Sequence, residues 1–207
     1  MMARYECIMG ETGQHGQLTR STFQFLYDKL KVNTECFASP LNWQTVNFCS
    51  AFNDCDYWFG SQGSFFDFMP TEDGSFEVNP PFMIHGCSVE DHLQNIFEQC
   101  DNQFALSFVL VYPSSHFLDK AVGNHVLLSR KMGWVKMKIV LVKNHHGYFK
   151  GNQHEMVTEH GKVPFVMASH NSTIYILQNI KGSEKYSAWR DDPTFRSSIA
   201  RVFSEGE

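Results

Sequence analysis

The chain has 207 residues, of which 43% are apolar and 14% aromatic, and its formal net charge is −5. This length and composition predict one globular domain over 1–207 and exclude a disordered chain. The longest apolar runs are too short to span a membrane, and the N-terminal residues lack the apolar core of a signal peptide, so we expect an intracellular protein without a membrane partner. The six cysteines show no CxxC, and neither Cys nor His has structural zinc spacing, so no metal site is expected.

Helices and strands alternate along the first half of the chain. The predicted elements, in chain order, are a helix over 18–32, a strand over 34–39, a helix over 41–52, and strands over 64–68 and 75–78. The first helix is predicted from apolar residues at helical spacing, with Ser21 as its expected N-cap. Pro40 is expected to end the first strand.

The alternation continues in the second half. The predicted elements are a helix over 88–100 capped by Ser88, a strand over 104–113, a helix between 118 and 131, and strands over 135–142 and 173–180. The run FALSFVLVYP is continuously apolar, which is typical of a strand buried on both faces of a sheet. The whole pattern predicts an α/β fold with a mostly parallel central sheet and flanking helices, in which ligands bind at the carboxyl ends of the strands.

Charge is distributed unevenly along the chain. Between Val32 and Asp119 there are twelve acidic residues and no Lys or Arg, whereas Lys120 to His154 holds seven basic residues and no acid. An acidic block suits a cationic small molecule, and a basic block suits a polyanion. The alternative is two solvated faces with skewed charge.

The stretch GSFEVNPPF ends a predicted strand abruptly, which indicates either a rigid turn or a site. An exocyclic amine of a nucleobase is a poor nucleophile, and two hydrogen-bond acceptors would help it attack an electrophile. The Asn79 side-chain carbonyl and the Pro80 backbone carbonyl can be those acceptors, and Phe82 can stack on the base. The two prolines would hold the acceptors in place.

Asn-Pro-Pro-Phe resembles the catalytic motif of S-adenosylmethionine-dependent amino-methyltransferases that act on adenine N6, cytosine N4 or glutamine. Five blocks resemble, in order, the catalytic domain of the phosphorylated CTD interacting factor family: ECFASPLN (35–42), CSAFNDCDYWFGSQG (49–63), GSFEVNPPF (74–82), NQHEM (152–156) and HNSTIYILQN (170–179). The animal members of that family are cap-specific adenosine N6-methyltransferases, which modify 2′-O-methyladenosine beside the 7-methylguanosine cap of messenger RNA.

The resemblance implies a Rossmann-like S-adenosylmethionine-dependent methyltransferase fold. It implies an adenine site at Asn79, Pro80, Pro81 and Phe82, and a cofactor site at Phe37, Ala38, Ser39, Pro40 and Asn42, since the Asp-x-Gly-x-Gly motif is absent. Further candidates are Gly60 and Asp67 for the cofactor, and His154, His170, Lys136 and Lys138 for the substrate. The alternatives for these six are a turn glycine, a surface carboxylate, structural histidines and a solvated strand edge.

The expected function is S-adenosylmethionine-dependent adenine N6 methylation of RNA, at the 5′ end of capped mRNA. The alternatives are a non-catalytic RNA- or cofactor-binding module, and an adenine methyltransferase acting on DNA. The resemblance implies association with the RNA polymerase II C-terminal domain and a nuclear location, with the cytoplasm as the alternative. No tryptophan occurs before Trp43, so no WW domain is expected in this chain.

Overall fold

The computed structural model of the chain describes residues 2–9, 16–81, 86–113, 133–150 and 165–206. The helices are α1 (Met2–Met9), α2 (Arg20–Leu30), α3 (Asn53–Asp56), α4 (Gly86–Cys100), α5 (Ile180–Lys185) and α6 (Phe195–Val202), with 3₁₀ turns at Tyr57–Phe59 and Phe65–Asp67. The strands are β1 (Gly16–Gln17), β2 (Thr34–Ala38), β3 (Asn47–Ser50), β4 (Gly74–Val78), β5 (Leu106–Pro113), β6 (Val135–Leu141), β7 (Gly147–Lys150), β8 (Phe165–Met167) and β9 (Ser172–Gln178). Within these ranges no helix combines the length and apolarity needed to cross a bilayer.

A six-stranded central sheet has the order β3-β2-β4-β5-β9-β6. The strands β2, β3, β4 and β5 are parallel, whereas β9 runs antiparallel to both β5 and β6. Five of the six strands therefore run in one direction. A smaller antiparallel sheet has the order β1-β7-β8. The predicted α/β class, a central sheet with helices, is confirmed.

Hydrophobic clusters cover both faces of the central sheet. On one face, α4 packs Leu93, Ile96 and Phe97 against β4 and β5, where Phe97 meets Phe108 with 5.4 Å between ring centroids. On the other face, α2 and α6 pack against β5 and β9 through a second cluster. The central strand β5 is buried from Leu106 to Tyr112, as its continuous apolar run predicted.

The helix predicted over 41–52 is absent. Residues 40–42 form a turn, and β3 begins at Asn47 and pairs in parallel with β2. The segment is too short for the spacing of its apolar residues to distinguish a helix from a buried strand. Pairing with β2 buries Phe48 and Cys49, and this burial favours a strand over a helix.

Local capping explains the other differences. The strand predicted over 64–68 is a 3₁₀ turn, because the Ser64 side chain accepts a hydrogen bond from the Phe66 N–H at 3.2 Å. Thr19, not Ser21, is the N-cap of α2, and its hydroxyl accepts from the Thr22 N–H. Helix α4 begins at Gly86, so the predicted cap Ser88 lies inside it. The helix predicted between 118 and 131 lies outside the described residues.

Candidate active site at the carboxyl edge of the central sheet

Two neighbouring parallel strands bring the predicted cofactor and adenine segments together. Strand β2 pairs with β4, with Glu35 opposite Glu77. Because side chains on a strand alternate between faces, Glu77 and Asn79 point to the same side of β4, and Glu35 points to that side of β2. The turn after β2 and the Asn-Pro-Pro corner after β4 therefore meet at one edge of the sheet, as predicted.

A cavity of about 50 Å³ lies between these two segments. It is lined by Gly16, Gln17, Glu35, Phe37, Asn42, Asn79 and Pro81. Four of these seven residues were predicted from the sequence, two of them for the cofactor and two for adenine. The lining includes a carboxyl group and three side-chain amides, and no Lys, Arg or His is among its described residues.

The Asn79 amide is held in one orientation. Its Nδ2 donates to the Gly16 carbonyl oxygen at 2.6 Å. A carbonyl only accepts, so the amide nitrogen must face Gly16 and Oδ1 must face away. Within the described part of the chain, this Oδ1 is buried and accepts no hydrogen bond. Asn79 thus presents a fixed acceptor to which no described residue donates.

The turn after β2 is stabilised by Asn42. Its Oδ1 accepts from the Ser39 backbone N–H at 2.7 Å and from the Ser39 hydroxyl at 2.9 Å. Its backbone carbonyl accepts from Gln17 Nε2 at 2.8 Å. Strand β1 therefore contacts both segments of the cavity, one through Gly16 and the other through Gln17.

Two buried carboxyl groups lie below the Asn-Pro-Pro corner. Glu35 is 3% exposed and Glu77 is 1% exposed. Glu35 Oε2 accepts from the Gln44 backbone N–H at 2.9 Å. Burial raises the pKa of Glu35 to about 8. Burial, reinforced by the charge of Glu35, raises the pKa of Glu77 well above its ordinary value.

Several predicted cofactor residues lie elsewhere or lack cavity contacts. Ala38, Ser39 and Pro40 belong to the end of β2 and its turn without lining the cavity. Gly60 is exposed, with a φ of 95° that favours glycine. Asp67 is exposed in its 3₁₀ turn. Their cofactor roles stay predictions.

The predicted substrate residues lie in different parts of the chain and of the sheet. Phe82 and His154 lie outside the described residues. His170 is exposed just before β9, whose first residue pairs with Pro113 at the carboxyl end of β5. Lys138 lies mid-strand on the edge strand β6, which is separated from β4 by β5 and β9, and Lys136 lies near its amino end. Neither lysine lies beside the Asn-Pro-Pro corner, and their roles in substrate binding stay predictions.

Sequence reasoning assigned no role in the cavity to Gly16, Gln17, Glu35 or Glu77. Strand alternation could have suggested the carboxyl pair, because Glu77 precedes Asn79 by two residues. Nothing local could have suggested Gly16, which precedes Asn79 by 63 residues and reaches it only through the folded chain.

A sheet of this strand order, with a polar cavity where its parallel strands end, defines an α/β protein whose candidate active site lies at the carboxyl edge. The family model described as "Phosphorylated CTD interacting factor 1 WW domain" matches residues 1–151, and the chain belongs to this family. The match contains strands β1 to β7, so it runs through the central sheet. The family predicted from the sequence blocks is confirmed.

Two relatives agree with this assignment. The chain is 33% identical to the mRNA (2′-O-methyladenosine-N(6)-)-methyltransferase of Homo sapiens, over 213 residues. It is 34% identical to the protein of the same name from Mus musculus, also over 213 residues. Each alignment covers 99% of this chain and 28% of the relative. The chain therefore spans less than a third of the length of the relatives it matches.

Proposed function

We propose that this chain is a Rossmann-like, S-adenosylmethionine-dependent methyltransferase that modifies N6 of adenosine in RNA, next to the cap of mRNA. The observation that carries the proposal is the buried Oδ1 of Asn79, an acceptor that has no donor within the described chain. Both relatives are named for methylation of mRNA 2′-O-methyladenosine at N6, which gives the substrate class.

The cavity lining fits a cationic methyl donor. A sulfonium or ammonium group is favoured by a carboxylate, which the cavity offers at Glu35, and no Lys, Arg or His is among the described residues that line the cavity. A volume of about 50 Å³ suits the reacting groups alone, so the rest of the donor would lie along the open carboxyl edge. S-adenosylmethionine, when bound, supplies an electrophilic methyl group.

Asn79 prepares the adenine amine for attack. Its Oδ1 accepts a hydrogen bond from N6, and the Pro80 carbonyl that follows in the chain accepts a second one. As N6 forms its new bond to carbon, its hydrogens become more positive, so both hydrogen bonds strengthen in the transition state. The Gly16 carbonyl holds the Asn79 amide before the substrate arrives, which lowers the cost of reorganisation.

The proposal is tested by measuring donor binding and methyl transfer separately. Calorimetry should detect binding of S-adenosylmethionine. Mass spectrometry should detect N6-methyladenosine in a short capped RNA whose first nucleotide is 2′-O-methyladenosine. Uncapped RNA and single-stranded DNA of the same sequence test the choice of substrate. Greater methyl transfer to either of them would contradict capped mRNA as the substrate.

Asn79→Ala should lower the rate of transfer by roughly 10²-fold or more, because it removes one transition-state acceptor. Donor affinity should stay within about threefold of wild type. Asn95→Ala, on the exposed side of α4, is the matched control and should transfer methyl groups normally. An Asn79→Ala protein with the wild-type rate would defeat the catalytic role of Asn79.

A further inference from the structure

Two carboxyl groups lie side by side beneath the cavity. Glu35 and Glu77 are register partners on adjacent parallel strands, so their side chains leave the same face of the sheet. Glu35 lines the cavity together with Asn79. Glu77 lies two residues before Asn79, and its Oε1 is buried without a hydrogen-bond partner among the described residues.

No Lys, Arg or His of the described residues compensates the charge of this pair. Besides each other, the described titratable groups that interact with the pair are Cys36 on β2 and Tyr148 on β7, and neither becomes cationic. In the described part of the chain, the one group that stabilises ionised Glu35 is the Gln44 N–H. Two ionised carboxylates this deeply buried repel each other, so the pair retains at least one proton.

We propose that Glu35 accepts the proton that leaves the adenine amine during methyl transfer, and that Glu77 is its positioning partner. This inference rests on the proposed function. Glu35 is suited to the task because it reaches the cavity in which Asn79 presents its acceptor to that amine. Glu77 keeps the shared proton on its own side when the donor's cation is bound, which leaves Glu35 ionised.

The step balances in charge and atoms. The N6 lone pair forms a bond to the methyl carbon, and the carbon–sulfur bond breaks with its electron pair going to sulfur. The positive charge passes from sulfur to N6. One of the two N6 protons then leaves its amide or carbonyl acceptor and bonds to the Glu35 carboxylate, and its N–H electron pair stays on N6. The products are a neutral thioether, neutral N6-methyladenine and a neutral carboxylic acid at Glu35.

The charges in the cavity favour transfer of the proton from N6 to Glu35. A cation in the cavity lowers the pKa of Glu35, and the transfer removes that cation, so the carboxylate becomes more basic as the proton becomes available. With the cavity empty, burial holds the pKa of Glu35 at about 8. A carboxylate of this basicity is well matched to proton transfer near neutral pH.

Single-turnover kinetics on capped RNA test the role in transfer. Wild type should gain rate as pH rises, with a midpoint at or below about 8, because Glu35 must be ionised to accept a proton. Glu35→Gln should lose at least about 10²-fold in rate at saturating donor, and its rate should not rise with pH. Glu35→Asp should recover part of the rate, and its rate should still rise with pH.

Glu90→Gln is the matched control. Glu90 is a buried carboxyl whose pKa is raised to about 7, but it lies on α4 and does not line the cavity. It should keep the wild-type rate and pH profile. A Glu35→Gln protein that is equally fast would overturn the inference alone, whereas an inactive wild type would overturn the proposed function itself.

A readout without turnover separates proton acceptance from donor binding. Proton titration of the free protein should show one group near pH 8 that Glu35→Gln lacks. Donor affinity of Glu35→Gln should fall by less than about tenfold. A titration curve unchanged by the substitution would overturn the inference, and so would a loss confined to donor affinity with the rate intact at saturation.

Discussion

At the scale of single residues, Gly16 is packed closely against Tyr148 beside the cavity. A Cβ at this position would lie 2.9 Å from Cγ of Tyr148, while the Gly16 carbonyl orients Asn79. Gly16→Ala should therefore displace the carbonyl, lower the rate of transfer, and cost about 1–3 kcal/mol of stability through overpacking. Thermal melts and methyl-transfer assays on the same preparations measure both effects.

Gly206→Ala is the control for crowding alone. Its Cβ would meet Phe165 Cγ at 3.0 Å, a similar contact between two residues that do not line the cavity. It should lose stability to a similar degree while keeping the wild-type rate per folded molecule. Equal rates for the two variants would mean that the Gly16 carbonyl does not orient Asn79.

The buried carboxyl pair should also make stability depend on pH. Its folded-state pKa values lie above the ordinary value of 4.5, so the folded protein binds more protons than the unfolded chain up to about pH 8. The free energy of unfolding should therefore fall as pH rises through this window, by up to about 1.4 kcal/mol per pH unit for each retained proton.

Denaturant melts between pH 6.5 and 8.5 measure this fall. The half-buried His92 and the buried His146, whose pKa values burial lowers, add a slope of opposite sign near pH 6.5–7.5, because the unfolded chain still binds their protons, so the carboxyl contribution is taken from the difference between wild type and Glu35→Gln. Glu35→Gln should flatten the slope, and Glu98→Gln, on the exposed side of α4, should follow wild type. Parallel curves for wild type and Glu35→Gln would show that Glu35 is not protonated in the folded protein.

How much of the site the sequence predicts depends on how local each signal is. Asn79 and Pro81 belong to a short motif with its own chemical logic, so they could be assigned before the fold was known. Glu35 lies within a quoted sequence block but acquires its meaning from its register with Glu77. Gly16 acquires its role from a contact across 63 residues, which no local pattern contains.

At the scale of elements, the turn after β2 replaces the crossover helix that usually joins parallel strands. Such connections commonly need a dozen or more residues. Here β2 ends at Ala38 and β3 begins at Asn47, so the connection is too short for a full crossover helix, and Asn42 organises it. The sequence predicted a helix in this segment because apolar spacing does not reveal which strand will pair with it.

Asn42→Ala tests this turn. The substitution frees the Ser39 N–H and hydroxyl, so we expect weaker binding of S-adenosylmethionine and a stability loss of about 1 kcal/mol. Asn33→Ala is the matched control, since Asn33 lies at the amino end of the same strand. A normal melting curve and an unchanged dissociation constant for Asn42→Ala would place the cofactor elsewhere.

At the scale of the whole molecule, strand direction determines which edge of the central sheet each lysine of the basic block lies near. The sequence predicted lysines in this block but could not assign them to an edge, because the antiparallel insertion of β9 is a tertiary feature. Strand β6 ends at Leu141, which pairs with Ser172 at the carboxyl edge, whereas Lys136 lies near the opposite edge. Lys143 follows β6 and is exposed, and its N–H donates to Asn171 Oδ1 at 2.8 Å.

Lys143 therefore lies on the same edge as Asn79, about 14 Å away if three strand spacings are counted. An RNA strand that places adenine at Asn79 can reach this distance within a few nucleotides. Lys143→Gln should weaken binding of a short capped RNA and reduce the slope of log affinity against log salt by about one ion. S-adenosylmethionine affinity should not change.

Lys136→Gln removes the same charge near the opposite edge and is the matched control. If the carboxyl edge is the RNA groove, titrations at two salt concentrations should separate the two variants, and Lys136→Gln should bind as wild type does. If the lysines of β6 and its turn only protect an edge strand from aggregation, both variants should bind RNA normally and lose solubility alone. Identical salt slopes for Lys143→Gln and wild type would exclude phosphate contact at this edge, and equal losses in both variants would indicate a non-specific charge effect.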